Sequence, residues 1–252
     1  MMSEPDHLFL RPMPNLMQGD KPVAALFTYM KPFEYPDLVR KFVGPVSHKE
    51  ITQIPQIGSS PAFISVQDFR RVATLWFNTT VTISNDAEAH KAWGWILEMY
   101  GYSLATYRAG VHQGLDVNKD MLAEPPFDTK LTGTPSGRAF YIMHLTYPQR
   151  YDKHGNFTQK ESEMFWLFDK RSYMDRPPPR GLADPPEVVT NQLVRLIIKM
   201  ENEATENNIP CWDDYVQHKR VTTQCTAGMP RITDTKTVAV GDLASMALKA
   251  AT

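Results

Sequence analysis

Twenty prolines, gathered in clusters, cut this 252-residue chain into short segments. A proline removes a backbone donor and disfavours helix at the residue before it, so regular structure must fit between the clusters. Pro12, Pro14 and Pro22 interrupt residues 8–30 and leave Val23 to Tyr29 as a buried strand. Pro36 to Val43 reads as a short helix that Gly44-Pro45 ends. Pro61 to Val66 reads as a strand running into a helix with apolar Phe69, Val72, Ala73, Trp76 and Phe77. The clearest helix comes next: Asn85 or Asp86 caps it, Glu88 sits in its first turn and Gly110 ends it. Residues 112–137 read as loop, with Pro125-Pro126 and a Gly/Thr/Pro/Ser stretch at 132–137. Phe140 to Tyr147 is a buried strand with His144 inside it.

Pro177-Pro178-Pro179 and Pro185-Pro186 make a stiff, extended connector. Asp184, Pro185 and Glu187 then open the last helix, with Val189, Leu193, Leu196, Ile197, Met200 and Ala204 on its apolar face. Residues 1–212 form one partial domain, and 213–252, polar and then Ala/Thr-rich, read as a disordered tail. Strands alternate with helices, so the class is α/β. The strand count is modest for the length and fits the later part of an α/β domain better than a complete doubly wound sheet.

Hydrophobic residues make up 42% of the chain, ample for a core. A net charge of -1 gives no electrostatic case for nucleic acid. No window approaches the roughly 18 consecutive apolar residues of a membrane span. The first residues lack the basic and apolar pattern of a signal peptide. Cys211 and Cys225, the only cysteines, either close a disulfide or remain two thiols. Asn78-Thr79-Thr80 and Asn156-Phe157-Thr158 fit the glycosylation acceptor pattern and permit a secretory location.

Chemistry concentrates in four places. Glu4-Pro5-Asp6-His7 precedes the apolar run Leu8-Phe9-Leu10. On a strand, Glu4 and Asp6 leave the same face and can aim two carboxylates at a divalent cation carrying a diphosphate; otherwise they are an acidic terminal segment. His144, on an apolar strand, is either a hydrogen-bonded core residue or the imidazole that completes such a site. Glu98 has Gly94 and Gly101 at i−4 and i+3, and Trp95 and Tyr102 at i−3 and i+4. Two helix glycines at a cost of about 1 kcal/mol each imply needed space: a cleft for a sugar or peptide, or close helix–sheet packing beside a solvated Glu. Lys170 and Arg171 follow an aromatic run and either neutralise a diphosphate or form a solvated basic pair.

Together these segments resemble the plant and algal hydroxyproline O-arabinosyltransferases. The resemblance rests on Glu4-Pro5-Asp6-His7 with Pro12-Met13-Pro14-Asn15-Leu16, Gly58-Ser59-Ser60-Pro61, Gly94-Trp95-Ile96-Leu97-Glu98-Met99-Tyr100 and Pro125-Pro126-Phe127-Asp128-Thr129. It continues in His144-Leu145-Thr146-Tyr147, Phe168-Asp169-Lys170-Arg171-Ser172-Tyr173 and Pro177-Pro178-Pro179-Arg180, and covers roughly residues 3–212. The related peptidyl serine α-galactosyltransferases are similar around Glu98 but match less well after residue 160.

The resemblance implies a Golgi glycosyltransferase with a GT-A-like nucleotide-diphospho-sugar fold. Its donor would be UDP-β-L-arabinofuranose and its acceptor hydroxyproline in secreted or cell-wall proteins. It would place Glu4, Asp6 and His144 on a manganese ion or other divalent cation, Lys170 and Arg171 on the diphosphate, and Glu98 near the acceptor or the transferring sugar. Members of this family carry a membrane anchor and a nucleotide-binding βαβ half before the acid motif. The expectation is therefore a C-terminal portion that transfers little by itself. The rival expectations are a non-catalytic remnant or peptide-binding protein, a peptidyl serine galactosyltransferase-like enzyme, and a hydrolase pairing Glu98 with Asp6.

Overall fold

The computed structural model describes residues 1–173 and 178–207. In chain order they form β1 (His7–Phe9), β2 (Val23–Ala24), α1 (Pro36–Val43), α2 (His48–Ile51), β3 (Ala62–Phe63), α3 (Val66–Ser84), α4 (Ala87–Trp93) and α5 (Leu97–Arg108). Then come β4 (Asp116–Val117), β5 (Leu122–Ala123), β6 (Ile142–His144), β7 (Gln149–Tyr151), β8 (Trp166–Phe168) and α6 (Gln192–Asn207). The class is mixed α/β with small sheets: β3-β2-β4, β1-β6-β5 and β7-β8. No helix among the described residues is long and apolar enough to cross a membrane. The chain divides into two units, one of residues 1–5 and 13–122, the other of residues 6–12 and the chain from Ala123 on.

In the first unit, β2 runs antiparallel to β3 and parallel to β4, with Val23 opposite both Phe63 and Asp116. The predicted strand Val23 to Tyr29 is thus regular for two residues only. Beyond Ala24 the backbone finds other partners: Ala25 N–H donates to Pro61 O and Phe27 N–H to Gln56 O. Helix α1 has the predicted bounds, with Pro36 at its first position and Gly44 past its end at φ 95°. Ser65 opens α3 by accepting from Asp68 N–H at 3.0 Å. Its expected apolar face is only half buried, because Val72, Thr79 and Ile83 turn inward while Phe77 is exposed.

The single helix expected from Asp86 to Gly110 is broken. Asp86 caps α4, and Gly94 then turns the chain at φ 51° into a short 3-10 turn before α5 begins at Leu97. Gly94 is therefore an end signal, the conformation that glycine reaches most cheaply. Helix α5 is the buried centre of this unit. Leu97, Tyr100, Tyr102, Leu104 and Ala105 lie within it, and Tyr100 stacks on Trp93 with ring centroids 4.2 Å apart.

In the second unit, β6 is the middle strand, antiparallel to β1 with His7 opposite His144 and Phe9 opposite Ile142. Leu10, Phe140, Met143, Phe168, Leu193 and Ile197 form its core. The last helix opens at Gln192, eight residues after the predicted cap Asp184. Asn191 is the cap, its Oδ1 accepting from Leu193 and Val194 N–H at 3.0 and 3.2 Å. Pro186 accounts for the shift, since it disfavours helical geometry at Pro185. The later start rotates the buried face to Leu193, Val194, Ile197 and Ile198, and Ala204 is exposed. Part of the proline connector, the Cys211–Cys225 pairing and the tail lie outside the described residues.

Candidate functional site

Pro5 and Asp6 form a turn directly before β1, so Glu4 and Asp6 do not share a strand face. The turn instead delivers consecutive residues, Asp6 and His7, to the end of a sheet whose partner strand supplies His144. His7 and His144 are cross-strand neighbours with rings meeting edge to face, centroids 4.7 Å apart, and both are buried. Asp6 is fixed by its backbone, whose carbonyl accepts from Leu145 N–H at 3.1 Å. Asp6 Oδ2 lies 3.4 Å from His144 Nε2, and Glu124 Oε1 lies 3.7 Å from His144 Nδ1. Asp6, His7 and His144 each offer a ligand atom, all within 4.8 Å of one another. Glu4, exposed, stands two residues upstream as part of the first unit.

The predicted basic pair divides its work. The Lys170 ammonium pairs with Asp6 Oδ2. Arg171 donates from Nη2 to Thr146 O at 3.0 Å, and its Nη1 lies 3.6 Å from Asp169. Both residues open a short turn after β8, which is registered on β7 through Phe168 opposite Gln149.

The electrostatics follow from these contacts. Burial raises the Asp6 pKa, but hydrogen bonds and charge from His144 and Lys170 outweigh it and hold the carboxyl well below its usual range. Burial lowers the His144 pKa, yet Asp6 and Glu124 outweigh it and lift the imidazole to about 9. Burial and the neighbouring His144 charge push His7 down to about 4, which keeps it neutral and able to donate a lone pair. A carboxylate and two imidazoles are a mixed oxygen and nitrogen donor set suited to a divalent transition metal, which would take the place of the proton on His144, and Lys170 shows that the carboxylate already attracts a cation. The donor set therefore fits the expected ion. Sequence reasoning named Glu4, Asp6 and His144 but passed over His7 and Glu124. His7 was visible as the fourth residue of its motif; Glu124 has no signal beyond standing before Pro125-Pro126.

Glu98 lies in the first unit, in the opening turn of α5. Ser59 Oγ donates to its Oε1 at 2.9 Å, and Trp76 Nε1 donates to its backbone carbonyl at 3.4 Å. Burial of the carboxyl end raises its pKa, and the Ser59 bond opposes that only in part. Trp95, three residues before it, is 74% exposed and packs beside Tyr29 at 5.9 Å. Gly101 serves helix packing: a Cβ there would sit 2.0 Å from Thr80 Oγ1 and 3.2 Å from Thr80 Cα, on α3.

A mixed α/β chain with a carboxylate–imidazole cluster is compatible with several enzyme classes, and comparison with known proteins narrows them. Residues 1–115 match the N-terminal domain of the hydroxyproline O-arabinosyltransferase family and residues 141–213 its C-terminal domain. Hydroxyproline O-arabinosyltransferase 3 of Arabidopsis thaliana is 42% identical over 214 residues, which are 84% of this chain and 56% of that protein. Hydroxyproline O-arabinosyltransferase RDN2 of Medicago truncatula is 42% identical, and PLENTY of Lotus japonicus 41%, with the same coverage. No solved structure matches the chain. The chain belongs to the hydroxyproline O-arabinosyltransferase family and spans about half the length, 56%, of these curated relatives.

Proposed function

We propose that this chain carries the cation and diphosphate site of a glycosyltransferase that moves arabinofuranose from UDP-β-L-arabinofuranose to hydroxyproline of secreted or cell-wall peptides in the Golgi. The family membership supports the reaction class, and the fold proposed for it is GT-A-like. The observation that carries the site is the cluster of Asp6, His7 and His144, with ligand atoms within 4.8 Å of one another and Lys170 on the carboxylate. Asp6, His7 and His144 would hold a divalent cation such as manganese. Such an ion would supply positive charge for the UDP leaving group.

The chain's own side chains do the rest. Asp6 stays ionised and therefore ready for a cation. Glu124 orients His144 from the far side of the ring, as an outer carboxylate orients a ligating histidine. Arg171, anchored on Thr146 O, presents positive charge beside the same strand end for the diphosphate. Glu98, with a carboxyl that holds its proton more readily than usual and an exposed Trp95 nearby, suits a hydroxyl of the sugar or the acceptor.

The test is transfer of labelled arabinose to a hydroxyproline peptide with manganese present, read as a mass increase on the peptide. Asp6→Ala and His144→Ala are each expected to lose at least about 100-fold in rate, the scale on which ligand loss costs a metal site. Full activity in both variants would sink the cation site. Release of free sugar, with the peptide unchanged, would replace transfer by hydrolysis.

A further inference from the structure

We propose that Lys170 is a built-in counter-cation that a divalent metal ion must displace from Asp6, and that its displacement frees the ammonium for a phosphate of the donor. The proposal rests on the cation reading of the Asp6 cluster. Lys170 holds Oδ2 of Asp6, and that same oxygen faces His144 Nε2 at 3.4 Å. Two atoms that share one small cation at about 2.1 Å each lie about 3 Å apart in octahedral coordination, so this pair is spaced for an ion. An ion bound between them occupies the space on the oxygen that the ammonium fills. The two cations therefore compete for that oxygen, and the doubly charged ion, held also by the imidazoles, takes the ammonium's place.

Lysine suits this exchange and arginine does not. Its charge is a point on a flexible stem with rotatable donors, so it can swing without breaking the turn that carries it. Lys170 starts that turn directly after β8, and its neighbour Arg171 is tied to Thr146 O and Asp169 rather than to Asp6. Once displaced, the ammonium is left next to the ion with its charge uncompensated, where the next anion to arrive is the diphosphate. Metal and donor binding are then coupled through one side chain, and by linkage the coupling is reciprocal. The basic pair thus has two roles: Arg171 is a fixed contact, and Lys170 is exchanged between the empty and loaded sites.

The experiment is a Mn2+ titration of the purified chain by calorimetry, without donor, on wild type, Lys170→Met, Lys170→Gln and Arg171→Met, and then again with UDP. Both Lys170 variants are expected to bind Mn2+ about tenfold more tightly than wild type, since the Lys170–Asp6 ion pair no longer has to break. Arg171→Met, which also removes one positive charge, should stay within about threefold. The factor by which Mn2+ tightens UDP binding should fall about tenfold in the Lys170 variants. In 15N-lysine-labelled wild type, the Lys170 ammonium signal, assigned by its loss in Lys170→Gln, should move to the position of a solvated lysine on adding diamagnetic Mg2+.

Equal tightening by the Lys170 and Arg171 variants would reduce the effect to general repulsion and overturn the exchange. An unmoved ammonium signal would overturn it without relying on any variant's folding. Failure of the underlying reading looks different: wild type then binds no Mn2+, or binds it equally well after Asp6→Ala, and the proposal falls with the cluster.

Discussion

Asp6, in the second unit, is met by an ammonium and an imidazole, whereas Glu98, in the first, is met by a serine hydroxyl. Burial raises the pKa of both acids. In Asp6 the cationic partners overturn that effect, and the carboxyl is held below its normal range. In Glu98 a neutral donor cannot, and the carboxyl stays above it. Loss of solvent is common to the two, so the charge of the partner decides the outcome. A carboxylate kept ionised is fitted to hold a cation; a carboxyl that holds its proton more readily than usual is fitted to exchange hydrogen bonds with hydroxyls.

The contrast can be broken most sharply by metal binding. Asp6→Ala is expected to weaken Mn2+ binding by about 100-fold or more, while Glu98→Gln shifts it by less than about twofold, both read by calorimetry. Comparable losses would mean that the two acids do not have separate roles. The glycines on either side of Glu98 come next, because they look equivalent in sequence and are not. Gly101→Ala forces a methyl against the Thr80 side chain and backbone and should cost about 3 kcal/mol, read as a fall in the urea midpoint at unchanged slope. Gly94→Ala meets open space but must hold φ 51° with ψ −124°, a combination nearly confined to glycine, and should cost about 2 kcal/mol. The reverse order would return Gly101 to the role of clearing a cleft.

That pair of glycines also shows what the sequence could and could not reveal. The helix pattern from Asp86 to Gly110 was legible because capping and periodicity are local. Its break at Gly94 was not, because a glycine inside an apolar pattern reads equally as a packing gap or as an end signal, and the backbone angle alone separates the two. Helix α1 was read to the residue, since Pro36 and Gly44 both speak locally. Of the strands, the positions of β2, β3 and β6 were legible but not their lengths; β7 and β8 went unread, and β4 and β5 inside the expected loop were missed. The latter two have two residues each, too few for an alternating pattern to register. At the carboxylate–imidazole cluster, Asp6 and His144 were candidates from residue type and spacing, and the resemblance placed them on one ion. The contact that ties Lys170 to Asp6 joins residues 164 positions apart, and no spacing rule reaches that far.

The smallest expected effect concerns the protonation of Glu98. Its folded pKa lies above its ordinary value of 4.5 because the carboxyl end is buried. The folded state therefore holds this proton more tightly than the unfolded chain does. The stability that the group contributes is full below about pH 4.5 and is lost as pH rises through the raised folded value. Glu98→Gln stays neutral throughout, so its stability relative to wild type should climb across that window and level off above it. Residue 98 is exposed overall, and solvent screening keeps the gain below the cost of Gly94→Ala. Urea unfolding of both proteins from about pH 4 to 7 measures it. Ser59→Ala sharpens the reading: it removes the one hydrogen bond that lowers the Glu98 pKa, so the window should move to higher pH. A Gln variant displaced by the same amount at every pH would show that burial does not set the charge of Glu98. The distinction drawn between it and Asp6 would then have to rest on their partners alone.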